Sequence, residues 1–264
     1  MKTFVVGDVH GRRAQLRRLL AMLPRDRTAD TLVLLGDLID RGEDAPGVVE
    51  DVIRLCHEQG DQEKVAGRVV VLRGNHEQML LDFIDHGHSL WLLPGSGGQH
   101  TYEQYTGRAP AEPGSPFWND ARRELAEKIP PAHLEFIRAR PLYYEDDYAI
   151  YVHAGLDRDR HPRDTEPHYL LWTRDSEFFR NYHGKPCVFG HTPTPLLPLR
   201  GRLGHHGIYL SHSAIGLDTG YKQHSPLSCL SLPDFTLYQA YSDGREAVHR
   251  VTAFIPEELR SMRR

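Results

Sequence analysis

Cysteine is scarce in this sequence: three residues in 264, Cys56, Cys187 and Cys229, widely separated and odd in number. They offer neither a disulfide framework nor a CxxC thiolate pair, and they read as reduced, buried thiols of a cytoplasmic protein. Long apolar runs are also missing. None reaches the roughly 18 residues of a membrane-spanning helix. The opening Met1–Val6 enters a strand-like stretch at once, which leaves no room for the apolar region of a signal peptide. Nor does charge of one sign dominate. With 32 Lys+Arg against 36 Asp+Glu the formal net charge is -4, too small a footprint for general binding to nucleic acid or a membrane surface. Without soft sulfur ligands, any metal here must be held by oxygen and imidazole.

What is present is an ordinary globular composition, 39% hydrophobic and 26% charged, and an unusual supply of histidine, 17 residues. Lys2–Val6, Thr31–Leu35 and Arg68–Leu72 are compact apolar runs that predict buried strands. Between them, Ala14–Leu23 and Val48–Gln59 carry leucine and valine at helical spacing. That alternation predicts βαβ units and an α/β fold with parallel strands. The middle, 87–141, is rich in loop signals, with helical stretches near Thr101–Tyr105 and Asp120–Ile129, and reads as an insertion covering one rim of a site. Strands follow at Tyr148–Val152, Pro186–Phe189, Ile208–Leu210, Leu227–Leu232 and Phe235–Ala240. The expected organisation is one domain over 1–255 and a polar tail over 256–264.

Three glycine-bracketed motifs stand at the ends of the first three predicted strands. They are Gly7-Asp8-Val9-His10-Gly11, Gly36-Asp37-Leu38-Ile39-Asp40-Arg41-Gly42 and Gly74-Asn75-His76-Glu77. Sites in open α/β sheets lie at the carboxyl ends of strands, so the placement itself points to function. Asp8 and His10, two residues apart in extended chain, face the same side and suit a hard or borderline cation. His153-Ala154-Gly155 and Gly190-His191-Thr192 follow two later strands in the same manner.

In order, GDVHG, GDLIDRG, GNHE, HAG and GHT resemble the phosphoprotein phosphatase branch of the calcineurin-like metallophosphoesterases, and within it the bacterial-type serine/threonine protein phosphatases. The resemblance spans about residues 5–192. It implies a β-sandwich of two mixed sheets flanked by helices. It implies two divalent metal ions, manganese first, with iron and zinc as alternatives. Asp8 and His10 would bind one, Asp37 would bridge, and Asn75, His153 and His191 would complete the other. A metal-bridging hydroxide would attack phosphorus in line. Arg41, Arg174 and Asn75 would hold the substrate phosphate, and the planar fork of an arginine suits that work better than lysine. His76 would protonate the leaving alkoxide, with Asp40 orienting it.

The implied substrate is phosphoserine or phosphothreonine, with phosphotyrosine and small phosphate esters within the same chemistry. Symmetrical hydrolysis of diadenosine tetraphosphate is the alternative. That relative typically carries alanine at the position of Asp40 and GNHD in place of GNHE, which favours the phosphatase. Pro193 replaces the second histidine of GHxH found in metallo-nucleases, and a complete ligand set argues against an inactive scaffold. Glu77 reads as a helix-starting acid. His205, His206 and His212 read as a solvated loop, Asp218 as either a turn or a support for the site, and Gly95–Gly98 with Tyr102 and Tyr105 as either a substrate rim or local packing. The oligomeric state has no signature in the sequence.

Overall fold

In the computed structural model the described residues are 1–58, 67–158, 160–198, 202–203, 206–220, 224–251 and 257–260. The chain begins β1 (Thr3–Val6), α1 (Arg13–Met22), β2 (Thr31–Leu34), α2 (Ala45–His57), β3 (Val69–Val71) and α3 (Asn75–His86). A 3-10 turn, Ser89–Leu92, precedes α4 (Gly98–Thr106), α5 (Trp118–Lys128) and α6 (Pro131–Arg138). Then come β4 (Tyr143–Glu145), β5 (Ile150–Val152), α7 (Pro167–Trp172), α8 (Ser176–Asn181) and β6 (Cys187–Phe189). The remainder is β7 (Arg202–Leu203), β8 (Tyr209–Ser211), β9 (Ala214–Gly216), β10 (Leu227–Leu232), β11 (Thr236–Ala240), β12 (Glu246–Arg250) and α9 (Glu257–Arg260).

Two mixed six-stranded sheets result. One has the order β12-β11-β10-β1-β2-β3, in which β1, β2 and β3 are parallel and the other pairs antiparallel. The second has the order β4-β5-β6-β9-β8-β7, with β5, β6 and β9 parallel. Alternation along each strand divides the core. Phe4, Val6, Leu32 and Leu34 join Leu16, Leu19, Val48, Val52 and Phe83 on the helical side. Val5 and Val33 point the other way and share a core with Tyr151, Val188 and Ile215 of the second sheet. That sheet's far face, including Ile150, Val152 and Phe189, is covered by Leu170, Phe178 and Phe179. The strands are therefore apolar on both faces, as sheets covered on both sides require. Each fully buried side chain of this size contributes about 1.5–3 kcal/mol, so slipping β1 by one residue would exchange two cores at once.

The predicted early strands and helices are found within one to three residues at their described ends. The helix α2 starts at Ala45, ahead of its apolar repeat, because the Asp44 carboxylate accepts the Gly47 N–H at 2.9 Å and Pro46 suits a first turn. Gln59, the expected end of that helix, lies outside the described residues. The 87–141 stretch carries more helix than its glycines and prolines suggest, since α6 and the 3-10 turn join the two expected helices. It is also built into the main core: Trp91, Tyr102, Leu125, Ile129 and Ile137 are buried beside the side chains of α2 and α3. Of the expected tail, 257–260 forms α9, while 256 and 261–264 lie outside the described residues. No helix among the described residues is long and apolar enough to cross a membrane.

Candidate active site

The carboxyl ends of β1, β2, β3, β5 and β6 deliver all five motifs to one place. Asp8, His10, Asp37, Asn75, His153 and His191 are each buried, at most 8% exposed. Their backbones are held in unusual shapes. Among the described residues nine non-glycine residues have positive φ, and His10, Asp37, Asp40, Arg41 and His191 are five of them. Such strain concentrates where surrounding structure fixes a functional geometry. Two glycines permit the close approach. A Cβ on Gly74 would collide with the Asp37 carboxylate, and one on Gly190 with that of Asp8.

Ligand-type atoms gather in two compact groups that share Asp37: His10, Asp37 and His76, and Asp37, His153 and His191. Asn75 Oδ1 lies 2.8 Å from both His153 Nε2 and His191 Nδ1. Asp8 belongs to neither group but reaches the same corner, where its carboxylate accepts the His191 N–H at 2.9 Å.

The proton inventory shows what these residues fit. His153 Nδ1 sits 2.9 Å from the Leu35 carbonyl, which can only accept, so that nitrogen carries the proton. Burial lowers the His153 pKa, so the ring is neutral and Nε2 is a bare lone pair. It faces Asn75 Oδ1 at 2.8 Å and Asp37 Oδ1 at 3.4 Å, acceptors meeting acceptors. His10 shares the tautomer but not the orphaned lone pair: Nδ1 is 3.0 Å from the Ile39 carbonyl, and Nε2, 3.5 Å from Asp37 Oδ2, accepts from Arg41 Nη1 at 2.8 Å. Burial, then His76, lowers the His10 pKa, and burial, then His153, brings that of His191 down to about 3. Converging lone pairs on neutral imidazoles, an amide oxygen and carboxylates are what a divalent cation neutralises, so the donor set fits a metal pair sharing Asp37. Burial alone would raise Asp37, but His153, His76 and His10 outweigh it and hold the carboxylate well below its usual range. Asp8 is pushed up by burial, then by the charges of Asp218 and Asp37.

Above this lies a cleft of about 300 Å³, lined by Asp37, Arg41, Asn75, His76, Met79, Leu90, Gly95, Ser96, Trp172, Arg174 and His191. Arg41 spans the two groups, with Nη1 2.8 Å from His10 Nε2 and Nη2 3.1 Å from His76 Nε2. His76 Nδ1 meets Asp40 Oδ2 at 2.6 Å. Burial opposes the charged imidazole, yet Asp37 and the Asp40 hydrogen bond together raise the His76 pKa.

Sequence reasoning missed several supports. Glu77 starts α3 as expected, but its carboxylate also accepts the N–H groups of Gly74, Asp37, Leu38 and Ile39 and so ties β2's loop to the helix. Burial, then the Asp37 charge, pushes Glu77 up to about 7, while the amide donors of Gly74 and Leu38 pull the other way. Asp40 accepts from Trp91 Nε1 at 2.9 Å and from the Thr101 hydroxyl at 2.7 Å. Arg12 donates to the Asp8 and Val9 carbonyls. Asp218 is both of its alternatives, a turn that accepts the Gly220 N–H at 3.2 Å and a buried neighbour of Asp8 and Arg12. GLDTG was the available signal. His206 stacks on His249, and His212 packs against His183, apart from either ligand group; His205 lies outside the described residues.

A fold of this kind with paired oxygen–imidazole ligand groups defines a metallophosphoesterase, and residues 1–214 match the calcineurin-like phosphoesterase family, to which the chain belongs. Members use a dinuclear divalent metal centre. Over 93 residues the chain is 40% identical to Serine/threonine-protein phosphatase 1 of Salmonella typhimurium, covering 35% of this chain and 38% of that protein. Over 81 residues it is 42% identical to the symmetrical bis(5'-nucleosyl)-tetraphosphatase of Klebsiella pneumoniae, covering 31% and 25%. The chain thus spans less than half the length of these curated relatives that it matches. A solved structure of a provisionally assigned diadenosine tetraphosphatase superimposes with a TM-score of 0.62 over 91% of this chain and 93% of that one, at 22% identity, a likeness of fold.

Proposed function

We propose that the chain is a metal-dependent phosphomonoesterase acting on phosphoserine and phosphothreonine, and on phosphotyrosine and small phosphate esters that fit the same cleft. The observation that carries this reading is the 2.6 Å contact between His76 Nδ1 and Asp40 Oδ2. With Nδ1 committed to Asp40, Nε2 is the nitrogen on the cleft side, 3.1 Å from Arg41 Nη2, and it can protonate a leaving oxygen once Arg41 turns to the phosphate. An alkoxide departing from serine or threonine is a strong base and needs that proton. A nucleotide departing from a dinucleoside polyphosphate leaves as a weakly basic phosphate and does not. Arg41 and Arg174 line the same cleft and supply planar donors for phosphoryl oxygens. Asn75, at its floor, orients the phosphate. Asp8, His10, Asp37, Asn75, His153 and His191 would hold two divalent cations, manganese being our first choice with iron or zinc as alternatives, which would neutralise charge on the phosphoryl oxygens and acidify water.

Symmetrical cleavage of diadenosine tetraphosphate is the second reading, favoured by the relatives that carry that name. The discriminating experiment compares wild type with His76→Asn, both loaded with manganese, on a phosphoserine peptide and on diadenosine tetraphosphate. Loss of a general acid predicts a fall of about 10²–10⁴ on the phosphopeptide and a far smaller one on the dinucleotide. Near-wild-type turnover of the phosphopeptide by His76→Asn would remove the assignment.

A further inference from the structure

The Asp40 carboxylate is wholly buried, and among the described residues its side-chain hydrogen-bond partners beyond His76 are Trp91 and Thr101. Trp91 Nε1 donates to both of its oxygens, at 3.1 and 2.9 Å. The Thr101 hydroxyl donates to Oδ1 at 2.7 Å and accepts the Asp40 N–H at 2.9 Å, a reciprocal clasp on one residue. That clasp holds a backbone that resists its shape, because Asp40 and Arg41 are consecutive non-glycine residues at φ 72° and 67°. The neighbouring turn of α4 continues the grip: Gln104 donates to the Gly42 carbonyl at 2.9 Å and accepts the Ala45 N–H at 2.8 Å. Thr101 and Gln104 are three apart, on one face of the helix. Helix α4 is thus a template for the loop that carries Asp40 and Arg41.

We propose that Trp91 and Thr101 are positioning residues for the proton transfer, fixing Asp40 so that His76 Nδ1–H is committed to it and Nε2 faces the leaving oxygen. This rests on the general-acid reading above. A carboxylate has four lone-pair directions, and only one is needed by the imidazole. If the others were free, the carboxylate could rotate about its Cβ–Cγ bond and the imidazole would follow it. With Trp91 bridging both oxygens and Thr101 on Oδ1, the direction left over on Oδ2 is the one His76 occupies. A water oxygen forms the new P–O bond and loses a proton to solvent; as the P–O bond to the leaving group breaks, its electron pair stays on the leaving oxygen, which takes the proton from His76 Nε2. The ring is left neutral, and solvent water returns the proton before the next turnover.

The test is a leaving-group comparison in the full chain loaded with manganese. Trp91→Phe keeps an aromatic ring, though a smaller one, and removes the donor; Thr101→Val keeps the shape and removes the hydroxyl, and Thr101→Ser restores it. Each is assayed on a phosphoserine peptide, whose alkoxide needs a proton, and on 2,4-dinitrophenyl phosphate, whose phenolate does not. Loss of a hydrogen bond to a charged group predicts about a tenfold or larger fall on the peptide for Trp91→Phe and Thr101→Val. Turnover of the dinitrophenyl ester and bound manganese stay near wild type, and Thr101→Ser recovers the peptide rate. A second signature, read in the metal-free protein where no paramagnetic ion broadens it, is the proton of the 2.6 Å His76–Asp40 hydrogen bond, whose exchange with solvent quickens in both variants. Equal falls on the two substrates would mean a merely structural role and overturn the proposal, as would no fall on either. His76→Asn separates the two levels of the argument. If it too lacks the split, the general-acid reading fails and takes this one with it. If it shows the split while Trp91→Phe and Thr101→Val do not, this inference alone is wrong. Should Trp91→Phe not fold, Thr101→Val and its serine rescue decide the matter.

Discussion

Replacing Glu77 by glutamine tests how the ligand loops are held. The native carboxylate is 1% exposed and accepts four backbone N–H groups, those of Asp37 and Gly74 on Oε2 and those of Leu38 and Ile39 on Oε1. Glutamine keeps one oxygen. Whichever way the amide turns, two of the four donors then face an NH₂ group. A buried donor left without an acceptor costs about 1–3 kcal/mol, so Glu77→Gln should lose about 2–6 kcal/mol. Against a typical total of about 5–15 kcal/mol that is a large fraction. Urea unfolding of the metal-free protein measures it, with an unchanged m value showing that stability alone has moved. The same loop carries Asp37, so metal affinity should fall with stability. A loss below about 1 kcal/mol, with metal binding intact, would refute the reasoning, because two orphaned donors could not be so cheap.

Asp37→Asn removes the one carboxylate common to both ligand groups, and it should abolish nearly all activity and reduce bound metal from two ions towards none, read by isothermal titration with manganese. Between α1 and α2 the buried Asp51 accepts from Arg13, Arg17 and Arg54, and the hydrogen bonds of Arg13, then Arg17, hold its pKa well below the usual carboxylate range. A depressed carboxylate stabilises the fold above its unfolded pKa of about 3.9 and loses that contribution as pH falls through the folded value. The stability gap between wild type and Asp51→Asn should therefore be flat near neutrality and close only in strong acid. A gap that closes already near pH 6 would contradict the assignment.

Much of the site was legible because its chemistry is written in consecutive residues. A strand, a glycine and an acid or imidazole recur at β1, β2 and β6, while β3 ends in Gly74-Asn75-His76 and β5 runs straight into His153, and each motif sits where a strand stops. The supports were not legible in the same way. Thr101 clasps Asp40 from 61 positions away, and nothing in the local pattern of α4 announces a partner. Glu77 has an adequate local explanation as the third residue of a helix, which hides its three bonds to the β2 loop. The insertion was read as a rim because Gly95–Gly98 and Pro110–Pro116 dominate its composition, whereas Trp91 just before them and Tyr102 between them belong to the core. At the edge of the first sheet, β12 escaped notice because Glu246–Arg250 alternates exposed and half-exposed residues without an apolar face.

The central claim is that this centre hydrolyses phosphomonoesters whose leaving group must be protonated. One measurement meets it directly: kcat/KM of the manganese-loaded protein, side by side, on phosphoserine and phosphothreonine peptides, an aryl phosphate and diadenosine tetraphosphate. The account predicts that the phosphomonoesters are preferred and that chelation of the metal abolishes turnover of all of them. A preference of about a hundredfold or more for diadenosine tetraphosphate, equivalent to roughly 2.7 kcal/mol of differential transition-state binding, would contradict it.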